Sequence, residues 1–289
     1  MLSTKNGGAG SPDAQTTPSG MSGTIGVLGG LGPYAGLDLV QCIFDETAAH
    51  RDQDHLPVTL VSYPAAIPDR SSWLADPTMP NPVGPMLEIL FRLEDAGCAV
   101  AGIPCNTAHA PALLDRLRDG LEVHGSKLRI VHIVDAIVLN IQESLPGATC
   151  IGVLATNASI NARLHEIGLE SARLGTVRPD DAFQFEVVNP TIFDSEYGLK
   201  AQSRPPSARA REDLLRGVDH LVEKGADAVI LGCTELPLAV PEPSHNGTPL
   251  INSTRALARA LIRATFPDRL RTPMTADAVS LTNLNLLLL

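Results

Sequence analysis

The two halves of the chain resemble each other, and this internal repeat limits the folds that the sequence can adopt. Residues 24–28 (TIGVL) match residues 150–154 (CIGVL), and both segments are typical of short buried strands. Residues 97–100 (GCAV) match residues 225–229 (GADAV) at the start of a second strand in each half. The repeat therefore predicts one supersecondary arrangement that is built twice.

Apolar strand patterns alternate with amphipathic helical patterns along both halves. This alternation is typical of the α/β class with parallel sheets. A proline-rich loop is expected over residues 64–85, and Ser253 or Thr254 is expected to cap the last helix. The predicted strands cover residues 24–28, 58–63, 99–103, 128–133, 149–154, 183–188 and 226–231.

We predict two similar α/β domains related by pseudo-two-fold symmetry, with an active site in the cleft between them. The N-terminal half covers residues 24–134, and the C-terminal half covers residues 135–266, whose last helix is free to pack back on the first half. Residues 1–23 are rich in Gly, Ser, Thr and Pro and are predicted to form a disordered tail. Residues 267–289 are predicted to form a C-terminal tail.

Composition excludes several functional classes. A net charge of −10 and an aromatic content of 3% argue against nucleic-acid binding. No apolar run approaches the roughly 20 residues of a membrane-spanning helix, so no membrane partner is expected. Five widely spaced cysteines do not suggest a disulfide framework, and we expect a reducing, cytoplasmic location. Cys105 and His109 alone are a weak metal signal, so no metal is predicted.

Two cysteines stand at the ends of matching strands. Cys105 follows the strand 99–103 and Cys233 follows the strand 226–231, each with a polar residue directly after it. A lone buried cysteine is usually a small core residue, and that is our interpretation of Cys42, Cys98 and Cys150. The repeated position favours a chemical role for Cys105 and Cys233, since ligands bind at the carboxyl ends of parallel strands.

Two opposed thiols around one small ligand suit proton transfer at carbon. One thiolate would remove a proton from one face and the other thiol would protonate the opposite face. The resulting carbanion needs neutral donors on its neighbouring carboxylate, and Asn106, Thr107 and Thr234 could supply them. This scheme needs no pyridoxal cofactor, so no cofactor is predicted.

Four motifs resemble the aspartate/glutamate racemase superfamily, and within it the aspartate racemase branch. They are residues 25–33 (IGVLGGLGP), 67–70 (IPDR), 104–109 (PCNTAH) and 231–236 (LGCTEL). The resemblance extends over about residues 24–266. The pair of cysteine motifs is its most specific part.

The resemblance implies a cofactor-independent two-base racemase that interconverts L- and D-aspartate and forms a homodimer. Cys105 and Cys233 would be the two acid/base residues. Arg70 would hold the side-chain carboxylate of the substrate, aided by Lys200, and Leu31 would line the pocket. The resemblance likewise gives the α-carboxylate to Asn106, Thr107 and Thr234.

Other functions remain open from the sequence. The substrate could be glutamate or another amino acid. Residues 30–35 (GLGPYA) fit the G-x-G-x-x-A pattern of nucleotide-binding folds, although Pro33 lacks an N–H for a pyrophosphate. A non-catalytic amino-acid-binding protein is the third possibility. For Glu235, service to the start of the following helix is the simplest interpretation.

Overall fold

The computed structural model describes residues 23–272, and the first half forms a four-stranded parallel sheet. Its strand order is β2-β1-β3-β4, with helices on both faces. The strands are β1 (Thr24–Gly29), β2 (Val58–Ser62), β3 (Cys98–Gly102) and β4 (Arg129–Ile130). The helices are α1 (Pro33–Glu46), α2 (Arg70–Ala75), α3 (Val83–Asp95), α4 (Pro111–Val123) and α5 (Ile133–Ser144).

The second half forms a five-stranded sheet of order β6-β5-β7-β9-β8, in which only the edge pair β8–β9 is antiparallel. The strands are β5 (Cys150–Leu154), β6 (Gly175–Val177), β7 (Ala228–Leu231), β8 (Ser244–His245) and β9 (Thr248–Asn252). The helices are α6 (Asn157–Asn161), α7 (Leu164–Ser171), α8 (Asp181–Phe183), α9 (Asn189–Phe193), α10 (Ala208–Glu223), α11 (Leu236–Ala239) and α12 (Ser253–Thr265).

The two sheets share their order of central strands. β1 lies between β2 and β3 in the first sheet, as β5 lies between β6 and β7 in the second. The repeated segments in the sequence are therefore the central strands of each half. The predicted α/β class with parallel sheets is confirmed, and the strand order is consistent with the predicted symmetry. Cys105 and Cys233 each follow a buried strand, β3 and β7.

Helix α12 joins the two halves. It follows β9 in the second sheet, yet it packs against α1, α5 and β3. Leu257 and Leu261 are fully buried in a core cluster that includes Leu39 of α1 and Ile25 of β1. The side chain of Leu261 occupies the space beside Gly102, where a larger residue would clash. The halves thus share apolar core as well as the cleft between them.

One predicted strand is wrong. Residues 183–188 alternate apolar and polar side chains, which favours a strand, but Gln184–Val188 forms a π-helical turn between α8 and α9. Val187 and Val188 are both buried there, and the amide of Gln184 donates to Ala155 O at 3.1 Å. Tertiary packing therefore overrides the local pattern, and the outer strand β6 lies earlier in the chain.

Two further local predictions need correction. The expected loop over residues 64–85 contains the short helix α2, which begins at Arg70 and is capped by the carboxylate of Asp69. The cap of α12 is Asn252, whose side chain accepts from Arg255 N at 2.9 Å, rather than Ser253 or Thr254.

Of the predicted tails, residues 1–22 and 273–289 lie outside the described residues. Residues 267–272 are described and lie against the end of α1, where Leu270 pairs with Thr47. Within residues 23–272, no helix has the length and apolar character needed to cross a bilayer.

Candidate active site

A small cavity opens where the cysteine segments of the two halves meet. Its inner volume is about 10 Å³, close to the space that one water molecule needs. Seven of the eight predicted site residues line it, but Leu31 does not. The lining residues are Arg70, Ser71, Cys105, Asn106, Thr107, Thr156, Lys200, Cys233, Thr234 and Glu235.

Both cysteines are buried, and their segments are tied together. The hydroxyl of Thr234 donates to Pro104 O at 2.9 Å, which links the residue after one cysteine to the residue before the other. After β3 the 3-10 turn Asn106–His109 comes first, and α4 begins at Pro111. A strand end followed by this turn holds the Cys105 side chain toward the cavity.

Arg70 supplies a buried cation beside Cys105. Its Nη2 donates to Leu31 O at 2.7 Å and its Nη1 to Pro68 O at 3.3 Å, so the guanidinium is fixed in place. Its Nε is buried and has no hydrogen-bond partner within residues 23–272. Burial lowers the pKa of Arg70, but the neighbouring groups Cys105, Asp69 and Glu235 together outweigh burial and raise it. Arg70 therefore keeps a free donor for an anionic ligand.

Lys200 is paired inside the protein. Its Nζ lies 3.2 Å from Glu235 Oε1, and the Glu235 side chain is only 3% exposed. Burial opposes the charge on Lys200, yet the attraction of Glu235 raises the pKa of Lys200 above its ordinary value. The other oxygen of Glu235, Oε2, lies 3.0 Å from Cys233 Sγ and accepts a hydrogen bond from the thiol. Lys200 thus reaches the cavity as one member of an ion pair.

Glu235 also explains the glycine pattern near the start of α1. Gly32, which precedes α1, has an extended backbone that any residue could adopt. A Cβ on Gly32 would, however, overlap Glu235 Oε1. The helix start that would hold a pyrophosphate in a nucleotide-binding fold is therefore occupied by a carboxylate, which repels phosphate. This arrangement argues against the nucleotide-binding alternative.

A hydrogen-bonded chain fixes the amide of Asn106. The hydroxyl of Ser253 donates to Leu231 O at 2.9 Å, so it accepts from Asn106 Nδ2 at 3.3 Å. Asn106 Oδ1 then accepts from His165 Nε2 at 3.0 Å. Burial lowers the pKa of His165 to about 4, so the ring is neutral near pH 7. One N–H of the Asn106 amide remains for a ligand in the cavity.

Thr107 is held by hydroxyl groups from the other half. Its Oγ1 lies 3.1 Å from Thr156 Oγ1 and 3.2 Å from Ser159 Oγ. Sequence reasoning missed Thr156, Ser159, His165 and Ser253 as parts of the site. Thr156 could have been found, because it follows the end of β5 just as the glycine turn follows β1. His165 gave no such signal, since it lies inside a helix.

His109 is structural. It is fully buried, its Nε2 donates to Ile103 O at 3.0 Å, and its Nδ1 accepts from Ile133 N at 3.3 Å. Burial lowers its pKa to about 3, so it carries no charge near neutral pH. These bonds tie the end of β3 to the start of α5. Within residues 23–272, no cluster of His, Cys, Asp or Glu is suited to hold a metal ion.

Comparison with known proteins gives one consistent result. A family model described as Asp/Glu/hydantoin racemase matches residues 28–261. The aspartate racemase of Picrophilus torridus has a similar structure, with 27% identity, a TM-score of 0.68, and coverage of 84% of this chain and 94% of that one.

Two more distant proteins are also similar to this chain. An aspartate racemase homologue from Pyrococcus horikoshii shares the fold at 22% identity, with a TM-score of 0.61 and coverage of 84% of this chain and 98% of that one. The broad-specificity amino-acid racemase RacX of Bacillus subtilis is 23% identical over 244 residues, which cover 82% of this chain and 96% of RacX.

Proposed function

The chain belongs to the Asp/Glu/hydantoin racemase family, and from this we propose that it is a cofactor-independent racemase that interconverts L- and D-aspartate. The observation that carries the proposal is the pair of buried cysteines, one from each half, lining one small cavity. Such a pair can act on both faces of a single carbon.

The proposed reaction is a proton exchange at Cα. One cysteine thiolate takes the α-proton, and the electron pair left on carbon is delocalised into the α-carboxylate. The other cysteine thiol then gives its proton to the opposite face. Donors fixed in the cavity, including the free N–H of Asn106, stabilise the charge that develops on the carboxylate. Burial strengthens these contacts because little water competes with them.

Arg70 supports an acidic substrate. A guanidinium matches the geometry of a carboxylate, and Arg70 has a buried donor without a protein partner among residues 23–272. Lys200 adds a cation that is already balanced by Glu235. The similarity to an aspartate racemase at 27% identity points to the same substrate, whereas RacX, described as broad in specificity, shows that the choice must be measured.

The proposal is tested by following solvent exchange at Cα. The protein is incubated in D₂O with L-aspartate and no pyridoxal phosphate, and both deuterium uptake and D-aspartate are measured. Cys105→Ala and Cys233→Ala should each lower racemisation by at least about a thousandfold, because each removes one of the two proton-transfer groups. Cys150→Ala, outside the cavity, is the control. Absence of exchange with every amino acid in a panel would refute the racemase proposal.

Substrate choice is tested at Arg70. Arg70→Lys should raise KM for aspartate by about tenfold or more, because an ammonium cannot reproduce the guanidinium contacts, and should affect alanine much less. The matched control is Arg92→Lys, at an exposed arginine that contacts Tyr63. Equal effects on aspartate and alanine would remove the assignment of Arg70 to the side-chain carboxylate.

We also propose that the protein is a homodimer and is located in the cytoplasm. An apolar groove beside α1, lined among others by Leu37, Val40, Phe44, Pro205 and Leu238, offers a surface for a second copy. Sedimentation of the purified protein gives the oligomeric state directly.

A further inference from the structure

The two cysteine segments differ at one matched position. Thr107 lies two residues after Cys105, and Glu235 lies two residues after Cys233. Thr107 turns its hydroxyl to Thr156 and Ser159, away from its cysteine. Glu235 instead contacts its own cysteine, with Oε2 at 3.0 Å from Cys233 Sγ. The repeat therefore gives the two thiols unlike neighbours.

The position of the Glu235 carboxylate is specified by the surrounding structure. It is 3% exposed, paired with Lys200, and lies against Gly32 at the start of the 14-residue helix α1. The positive end of the helix dipole stabilises a carboxylate at that place. Gly32 has a backbone open to any residue, so the need for glycine there is the space taken by Oε1. An anionic Glu235 is thus built into the site.

The charged groups around the two sulfurs divide unequally. Arg70 lies beside Cys105, with Asp69 further out, so a negative charge on Cys105 has a fixed cation next to it. Among the charged groups near Cys233, Glu235 has the largest effect and Lys200 the next largest. Burial and the charge of Glu235 raise the pKa of Cys233, and Lys200 only partly opposes them. A cation therefore lies beside Cys105, whereas a carboxylate lies beside Cys233.

We propose that Glu235 is a positioning residue that keeps the proton on Cys233 and aims its S–H, so that the free enzyme rests with the thiolate on Cys105. This inference rests on the proposed racemase activity for its meaning in catalysis. It distinguishes Cys105 from Cys233 by which of them carries the proton, whereas the repeat alone leaves the two cysteines equivalent.

The resting form has a consequence for each turnover. When Cys105 takes an α-proton and Cys233 gives up its own, the enzyme is left with a thiol at Cys105 and a thiolate at Cys233. Returning to rest moves one proton from Cys105 to Cys233 through solvent, with no net gain or loss. The enzyme form with the thiolate at Cys233, beside Glu235, is the less stable one. One enantiomer of the substrate therefore reacts with the resting enzyme, whereas the other enantiomer reacts with this less populated form.

The proposal is tested on the thiols themselves, without using activity. The full chain is labelled with ¹³Cβ-cysteine and titrated by NMR, in which thiol and thiolate differ in chemical shift. Alkylation by iodoacetamide near pH 7.5, read for each cysteine by mass spectrometry, is the second measurement. We expect Cys105 to ionise at lower pH than Cys233 and to be alkylated about tenfold faster or more.

Two variants test the effect of the Glu235 carboxylate on the ionisation of Cys233. Glu235→Gln keeps the shape but removes the charge and leaves Lys200 without its partner, so thiolate at Cys233 should increase about tenfold at fixed pH. Gly32→Ala keeps the glutamate but displaces its carboxylate, and should act in the same direction. Glu242→Gln removes one charge from the exposed pair with Arg211 and serves as the matched control. Circular dichroism and the thermal midpoint establish that each variant is folded.

The outcomes separate this inference from the proposed function. Equal ionisation of the two cysteines in the natural protein, or an unchanged Cys233 in folded Glu235→Gln, overturns the role of Glu235 even if the protein racemises aspartate. If the thiols behave as expected but no amino acid exchanges its α-proton, the role of Glu235 in setting the thiolate stands and the racemase proposal fails.

Discussion

His165 shows how one buried side chain can define the orientation of another. Because Ser253 donates to a backbone carbonyl, the direction of every hydrogen bond in the chain through Asn106 to His165 is fixed. Nε2 of His165 must carry the ring proton, and Nδ1 is buried without a partner within residues 23–272. A second proton on this ring would therefore enter a site that has no acceptor for it among those residues.

This gives a prediction for stability against pH. Burial lowers the pKa of His165 from 6.5 to about 4, so between these values the unfolded chain binds a proton that the folded protein does not. The contribution of His165 to the free energy of unfolding should therefore fall by about 2 kcal/mol as the pH is lowered from 7 to 5. When measured by urea unfolding, the free energy of unfolding of His165→Gln should fall less between pH 7 and pH 5 than that of the natural protein.

The control for that measurement is His50→Gln, at an exposed histidine, which should leave the pH dependence of unfolding unchanged. If His165→Gln loses as much stability on acidification as the natural protein does, the ring is not held neutral as described.

The turn between β1 and α1 illustrates an element whose shape depends on single glycines. Gly30 has a φ of +88°, and a Cβ there would lie 3.0 Å from Pro64 N and 3.1 Å from the backbone of Tyr63. Both the backbone conformation and the space require glycine. By contrast, a Cβ added to Gly84 in the first turn of α3 would meet no other atom within 4 Å.

These two glycines make a matched pair for mutation to alanine. Gly30→Ala should lower the free energy of unfolding by at least about 1 kcal/mol, because a positive φ strains alanine and the backbone of Tyr63 cannot move away easily. Gly84→Ala should be neutral or stabilise by up to about 1 kcal/mol, since alanine favours the helix. Chemical denaturation measures both, and a larger loss at Gly84 than at Gly30 would contradict the description of the turn.

At the scale of elements, periodicity and turn residues were enough to predict the central strands and the long helices. The alternation at residues 183–188 predicts a strand, and this prediction is wrong because the burial of Val187 and Val188 by neighbouring helices cannot be read from local spacing. Leu31 was predicted to line the pocket, and it is its backbone carbonyl that touches the site by holding Arg70. For Glu235 the sequence predicts only a place at a helix start, since its contacts with Lys200 and Gly32 join residues far apart in the chain.

For the whole molecule, the contact between α1 and α12 joins the two halves. Glu46 near the end of α1 is 7% exposed and pairs with two arginines of α12, at 2.6 Å from Arg255 Nη1 and in direct contact with the buried Arg259. Removing one partner of a buried pair leaves the other charge without compensation.

Glu46→Ala is therefore expected to lower the free energy of unfolding by about 3–5 kcal/mol. Glu143→Ala removes a carboxylate from the more exposed pair with Arg263 and should cost less than about 1 kcal/mol. Both values come from urea denaturation at one pH and ionic strength. Similar losses in the two variants would show that burial of the Glu46 pair does not set its contribution.

The shared strand order of the two sheets bears on how the protein treats left- and right-handed molecules. A ligand and its mirror image meet the same kinds of group in the cleft, with the two sides exchanged, because each half brings an equivalent strand end. Any preference for one hand must come from positions where the halves differ. Thr107 in one half and Glu235 at the matched place in the other are such positions, so one pair of unlike residues could give a site built from two similar halves its bias.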